Sequence, residues 1–210
     1  MTEWIARFES WIARGAAVDV AHDLSHIRRV VRMAEKLALA EAAKLEIVMP
    51  AAWLHDCVTT AKSSPDRKIA SRLAADRAVE LLVETDYPLE FHKAIHHVIE
   101  AHSFSAAIET RTIEAKVVQD ADRLDAIGAL GIARCFALGG AMGSSIYSED
   151  DPFCAVRAPD DRRFTLDHFP AKLLKLRKGM KTVTGRAEAE RRTRFIENYL
   201  SQLREEIAGS

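Results

Sequence analysis

The chain of 210 residues has only three cysteines, Cys57, Cys135 and Cys154, with no close spacing between any two. That excludes a disulfide framework and a zinc ribbon, and it is the cysteine usage of a reduced, cytoplasmic protein. Charge of one sign is also lacking: 30 Lys and Arg stand against 31 Asp and Glu, a formal net charge of −1. Such a balance argues against a broad footprint for nucleic acid or an anionic membrane surface. No uncharged run is long and apolar enough to span a bilayer; Ala126–Leu138 comes nearest but contains Arg134 and two glycines. The start Met1-Thr2-Glu3-Trp4 is not that of a signal peptide. Neither a GxxxxGK(S/T) loop nor a Gly-x-Ser-x-Gly elbow occurs, so a P-loop and a serine nucleophile have no support. Alternating strand patterns, internal repeats and low-complexity linkers are missing as well.

What is present is helical periodicity, with 48% hydrophobic residues to supply a core. Trp4, Phe8, Trp11 and Ile12 stripe a first helix ending near Gly15. Ile27, Val30, Val31, Ala34, Leu37 and Ala38 stripe a second, over about Asp23–Ala40. A third starts near Leu45 and leads into His55-Asp56, with Pro50 either kinking it or marking its true first turn. A fourth covers Asp66 to about Val83, and Asp86-Tyr87-Pro88 opens a fifth that runs to about His102. The sixth is expected from Ile113 to Leu138. Between Gly139 and Pro170 the pattern breaks at glycines and Asp-Pro pairs into a long irregular stretch, the kind that often forms a lid or binding loop. Helices resume over Ala171–Met180 and Arg186–Ile207. The expected architecture is all-α in a single domain, 1–210, with a core over about 22–135 and a helical C-terminal extension over about 171–207.

Chemistry is concentrated in a dispersed set: His26, then His55-Asp56, then Asp122. Brought together from three helices, two imidazoles and two carboxylates make a coordination shell for one divalent cation. The mixed nitrogen and hard oxygen donors suit manganese, and equally magnesium, iron, cobalt, nickel or zinc. Four protein ligands on an octahedral ion leave room for a water and a substrate oxygen, the arrangement of metal-assisted hydrolysis. A second pair, His22-Asp23, competes with His55-Asp56. Residues 1–21 contain no His or Cys that would precede it as a ligand, and Asp23 stands where a helix N-cap belongs.

The order His, His-Asp, Asp on successive helices resembles the HD-domain metal-dependent phosphohydrolases. The segments His22-Asp23-Leu24-Ser25-His26, Leu54-His55-Asp56, Ala101-His102-Ser103, Val117-Val118-Gln119-Asp120-Ala121-Asp122-Arg123-Leu124-Asp125 and Asp167-His168-Phe169-Pro170-Ala171-Lys172 resemble its YedJ/YpgQ-like branch. The likeness covers nearly the whole chain. It implies an all-helical fold with a metal at its centre and hydrolysis of phosphate esters or anhydrides. For YpgQ-like members the implied substrates are nucleoside triphosphates, cut to monophosphate and pyrophosphate. His26, His55, Asp56 and Asp122 match the four metal-ligand positions of the family.

Other residues carry secondary expectations. Asp122 and Asp125 share a helix face, where a cation at Asp122 relieves their repulsion and Asp125 becomes a candidate general base. Of His92, His96, His97 and His102, only His102 falls inside the apolar arc of its helix, as a candidate contact to phosphate or the attacking water. Lys62 and Arg123 are candidates to hold phosphate, Lys62 also to act in catalysis. Lys172 and Lys175 head the one dense basic run, which lacks the aromatics that nucleic-acid stacking needs. Gly128 and Gly131, inside the expected sixth helix, are read as helix-packing positions. The partner expected is a small phosphate substrate, a nucleotide first, without membrane or nucleic acid. The competing readings are a nucleotide monophosphatase and a metal- and nucleotide-binding regulatory module of negligible turnover.

Overall fold

A run of eight residues, Ile47–Leu54, is buried without interruption, and a helix apolar on every side belongs inside a bundle. In the computed structural model, which describes residues 2–15, 24–58, 69–103 and 106–209, this helix is central to the first of two compact units. That unit comprises Met1–Asp122 with Lys181–Thr184, and the second Arg123–Met180 with Gly185–Ser210. Among the described residues the fold is all-α, as expected: no strand forms beyond an isolated bridge between Ser145 and Phe164.

The first unit contains α1 (Thr2–Gly15), α2 (Leu24–Ala40), α3 (Leu45–Leu54), α4 (Ala70–Glu84), α5 (Leu89–His102) and most of α6 (Ile113–Asp125). Helix α3 packs against α1, α2, α4 and α5. The stripe foreseen on α2, from Ile27 to Ala38, is buried throughout. Pro50 lies inside α3, five residues past its start, which decides between the two readings of that proline. A proline there cannot supply the N–H that the carbonyl four residues earlier requires. The Tyr87 hydroxyl supplies a replacement, donating to Glu46 O at 2.7 Å. Tyr87 is itself packed edge-on against Trp4, ring centroids 4.9 Å apart, and burial pushes its phenol up to about 12.

Buried Asp120 on α6 receives the backbone N–H groups of Lys181 and Thr182, at 2.9 and 2.8 Å, and the Thr182 hydroxyl at 2.7 Å. Those N–H groups lie just ahead of the last helix, α9 (Val183–Ala208), where donors have no intrahelical acceptor. The Thr184 N–H is taken likewise by Glu41, at 2.6 Å.

The expected helix over 113–138 proves to be two, α6 and α7 (Gly128–Ala141), the break between them falling in the second unit. Ile127 is extended, and Gly128 has φ +82, the left-handed region that glycine alone enters without cost. A Cβ on Gly131 would stand 2.3 Å from the Ala126 carbonyl oxygen. Both glycines thus serve this break rather than helix–helix packing. The Arg192 side chain lies over Gly128 and donates to Leu124 O at 2.6 Å, closing the end of α6.

The irregular stretch begins at Met142, since α7 includes Gly139 and Gly140. It is densely tied to itself. Asp151 accepts the N–H groups of Ala155, Val156 and Arg157. Arg157 clamps the fully buried Asp167 with both guanidinium nitrogens. The expected helix over 171–180 is instead a 3₁₀ turn at Thr165–Asp167, a short α8 (His168–Ala171) and a second 3₁₀ stretch at Leu173–Gly179. Lys172, at φ −137 and ψ −57, interrupts them. The final helix begins three residues earlier than Arg186.

Candidate metal centre

Each donor of the site arrives from an element whose burial explains its position. His26, in the first turn of α2, lies on the same face as Ile27 and Val30 and is 2% exposed. His55 and Asp56 directly follow the last residue of the central helix, and the His55 ring is fully buried. Asp122 comes from α6 and His102 from the end of α5. All five belong to the first unit.

The His55 Nδ1 lies 2.8 Å from Ala52 O, and the His102 Nδ1 lies 2.6 Å from Ile99 O. A carbonyl only accepts, so both Nδ1 atoms are the donors and both Nε2 atoms are left for the site. A ring so tethered through one nitrogen is the usual posture of a metal-binding imidazole. His55 Nε2 is 3.4 Å from Asp56 Oδ2 and 4.0 Å from Asp122 Oδ1. His26 Nε2 is 3.5 Å from Asp122 Oδ1 and 3.8 Å from Asp56 Oδ2. The other Asp56 oxygen is 3.5 Å from His102 Nε2.

Most of these separations are too long for hydrogen bonds. They approach the spacing of atoms that share an ion, since ligands about 2.1 Å from a cation stand roughly 3–3.5 Å apart. His55 Nε2 is buried and has no hydrogen-bond partner among the described residues. His26, His55 and Asp56 form a group able to hold a metal ion, and Asp122 Oδ1 stands beside both imidazoles.

Electrostatics agree with the donor geometry. Burial works to strip the proton from His55, yet Asp56 and then Asp122 outweigh it and hold the imidazole up at about 9. Burial also opposes a charge on Asp56, but His55 and His102 keep its carboxyl well below the usual carboxylate range. With no arginine or lysine among these contacts of the described residues, the two carboxylates draw positive charge onto imidazole. A divalent cation would supply that charge directly. The neighbouring thiol is inert by contrast: burial, with Asp56 alongside, pushes Cys57 up to about 12.

None of the remaining candidates among the described residues is shown at this cluster. In the second unit Asp125, 4% exposed, is paired with Arg134. Arg123 donates to Gly179 O at 2.7 Å; Lys172, just before the second 3₁₀ stretch, and Lys175, within it, are exposed. Lys62 lies outside the described residues, as do His22 and Asp23. His92 donates to the Tyr87 carbonyl at 2.8 Å and His96 meets Asp76 at 2.8 Å, so both are engaged away from the cluster. Two residues were given no role by the sequence. Tyr87 secures the central helix, and Gln119 joins α6 to the end of α5 through a bond to Ala101 O.

The HD domain family matches residues 23–127, a span that contains all five of these side chains. The chain belongs to the HD-domain family. It is 37% identical over 192 residues to the uncharacterized protein YpgQ of Bacillus subtilis (strain 168), covering 90% of this chain and 85% of the relative. The crystal structure of Bacillus subtilis YpgQ in complex with ADP superposes with a TM-score of 0.78 at 35% identity, over 98% of this chain and 95% of that one. An HD-superfamily hydrolase from Bacillus thuringiensis superposes with a TM-score of 0.76, again at 35% identity, over 100% and 99% of the two chains. HD domains bind divalent metals, and the His-His-Asp group of this chain is built of the donors such an ion takes. No single helix among the described residues is long and apolar enough to cross a membrane.

Proposed function

We propose that this protein is a divalent-metal-dependent phosphohydrolase acting on nucleotides, cleaving nucleoside triphosphates to monophosphate and pyrophosphate. The observation that carries the reading is the convergence of two buried imidazoles and two half-buried carboxylates on one point, with His55 Nε2 left without a hydrogen-bond partner there among the described residues. The ADP bound by the YpgQ crystal structure supports a nucleotide as the ligand class.

His26, His55, Asp56 and Asp122 are the residues that would hold the ion, with manganese the first choice among the metals such donors accept. Held there, such an ion would supply Lewis acidity toward a phosphoryl oxygen and toward the attacking water. Attack at the α-phosphorus breaks its bond to the bridging oxygen, and pyrophosphate leaves. His102 is assigned the proton, because its Nε2 faces the cluster while its Nδ1 is fixed on Ile99 O. Asp125, the other candidate base, is already committed to Arg134. Lys62, Arg123, Lys172 and Lys175 are the candidate cations for the phosphates.

The test is a product-resolved assay across ribo- and deoxynucleoside mono- and triphosphates with manganese and a chelated control. Metal-dependent pyrophosphate release is the expected result. Orthophosphate from monophosphates would replace the reading with a nucleotidase. Tight nucleotide binding with no product would replace it with a regulatory module.

A further inference from the structure

The last carbonyls of a helix have no partners within it, and those of α5 are buried beside the candidate centre. Two side chains take two of them. His102, the final residue, folds back so that its own Nδ1 donates to Ile99 O at 2.6 Å. The carbonyl of Ala101, which is fully buried, receives Gln119 Nε2 at 2.8 Å from α6. Gln119 is 3% exposed and lies within the unbroken buried run Val117–Ala121. Three residues further along α6, on the same face, is Asp122. A single side chain therefore joins the helix of one candidate ligand to the residue preceding His102.

The orientation of that amide is determined by chemistry. With its ends exchanged, Oε1 would face the Ala101 carbonyl, acceptor against acceptor. As it stands, Oε1 is buried with no hydrogen-bond partner among the described residues. The side chain acts through its donor alone, and the donor acts on the turn that aims His102. We propose that Gln119 is a positioning residue, holding the end of α5 so that His102 keeps its Nδ1–H on Ile99 O and its Nε2 toward Asp56. This deepens the phosphohydrolase reading and rests on it for the kinetic consequence, though not for the structural one.

Two variants remove the donor's reach: Gln119→Met, of similar length without a donor, and Gln119→Asn, which keeps the donor on a stem one methylene shorter. In either, kcat for pyrophosphate release falls about 10- to 100-fold, as for a small displacement of a reacting group. KM and the manganese affinity by titration calorimetry stay within about threefold, because no proposed ligand is touched. In a His102→Ala background, where the residue being aimed is gone, the same substitutions cause no further loss. Losses that multiply, or a fall in manganese affinity matching the fall in kcat, would overturn the proposal.

A readout independent of turnover comes from histidine ¹⁵N resonances of the magnesium-loaded protein. Wild-type His102 is expected as the Nδ1–H tautomer, and the variants as a mixture, with His92 unchanged. Wild-type His102 in the other tautomer, or no change in either variant, would overturn the proposal. Should the wild-type protein hydrolyse no nucleotide, the phosphohydrolase reading falls and the tautomer measurement still decides the role of Gln119.

Discussion

Two pairs of aspartates, one in each unit, are matched in different ways. In the second unit Asp125 has Arg134, and Asp167 has both guanidinium nitrogens of Arg157. In the first, Asp56 and Asp122 meet imidazoles at 3.4–4.0 Å. Arginine carries its charge at every working pH, so its pairs are closed, geometrically specific and structural. Imidazole carries charge only with a proton, and its second nitrogen remains a ligand for a cation. The same residue type, Asp, is thus closed off by arginine at Asp125 and Asp167 and by backbone N–H groups at Asp120, whereas Asp56 and Asp122 face imidazole nitrogens that a cation can share.

The sharpest way to break that contrast is to remove an imidazole. His55→Ala deletes the donor that is fully buried and tethered to Ala52 O. Metal assistance is worth several kcal/mol at a phosphoryl transition state, so turnover should fall by about 10³-fold or more. Manganese binding by calorimetry should disappear with it. Undiminished metal affinity in this variant would sink His55 as a ligand.

A bracing aspartate should behave in the opposite way. Asp125→Asn removes the charge opposite Arg134, and a charge-assisted hydrogen bond at a buried site is worth about 2 kcal/mol of stability. Urea unfolding should show that loss, while kcat and manganese affinity stay within about twofold. If kcat collapsed at unchanged stability, Asp125 and not His102 would be the base.

The four side chains that converge in the first unit were legible in the sequence as candidate ligands because their signal is residue identity in a fixed order on periodic helices. The α2 stripe was legible for the same reason. The break at Gly128 was not, since a glycine within an apolar helical pattern looks the same whether it sits in a helix or at φ +82. The turns over 165–179 were missed because the mixed apolar and basic run Ala171–Met180 fits one regular helix on paper, whereas Lys172 leaves helical geometry. Tyr87 and Gln119 act on backbone carbonyls 41 and 18 residues away, and no periodicity carries that information. Pro50 held a hint: a proline inside a buried helix requires an outside donor for the carbonyl it leaves behind.

That hint makes a smaller test of how the first unit holds its site. Tyr87→Phe keeps the ring packing against Trp4 and removes only the hydroxyl on Glu46 O. A part-buried carbonyl left without its donor costs about 1 kcal/mol. Pro50→Ala restores an N–H for the same carbonyl, so the double variant should regain most of the loss. A double variant no more stable than Tyr87→Phe alone would show that the hydroxyl does not serve the proline.

The least effect is expected where an ion pair is partly solvated. Glu188 lies between Arg191 and Arg192, at 2.7 Å from each, and Arg191 followed by Arg192 brings its carboxyl down to about 2 against a desolvation that opposes ionisation. The native pKa is below the unfolded one, so the stabilisation is fully present above about pH 4.5 and is lost as pH falls through about 2. Screening at the exposed Arg191 limits it to about 1 kcal/mol. Wild type and Glu188→Gln should therefore differ in unfolding free energy at pH 6 and converge as pH approaches 2. Salt at 1 M should weaken the Arg191 share first, since that guanidinium is 69% exposed against 19% for Arg192. A difference that persisted at pH 2 would mean that Glu188 stabilises through packing over the end of α6, where Arg192 reaches Leu124 O, and not through its charge.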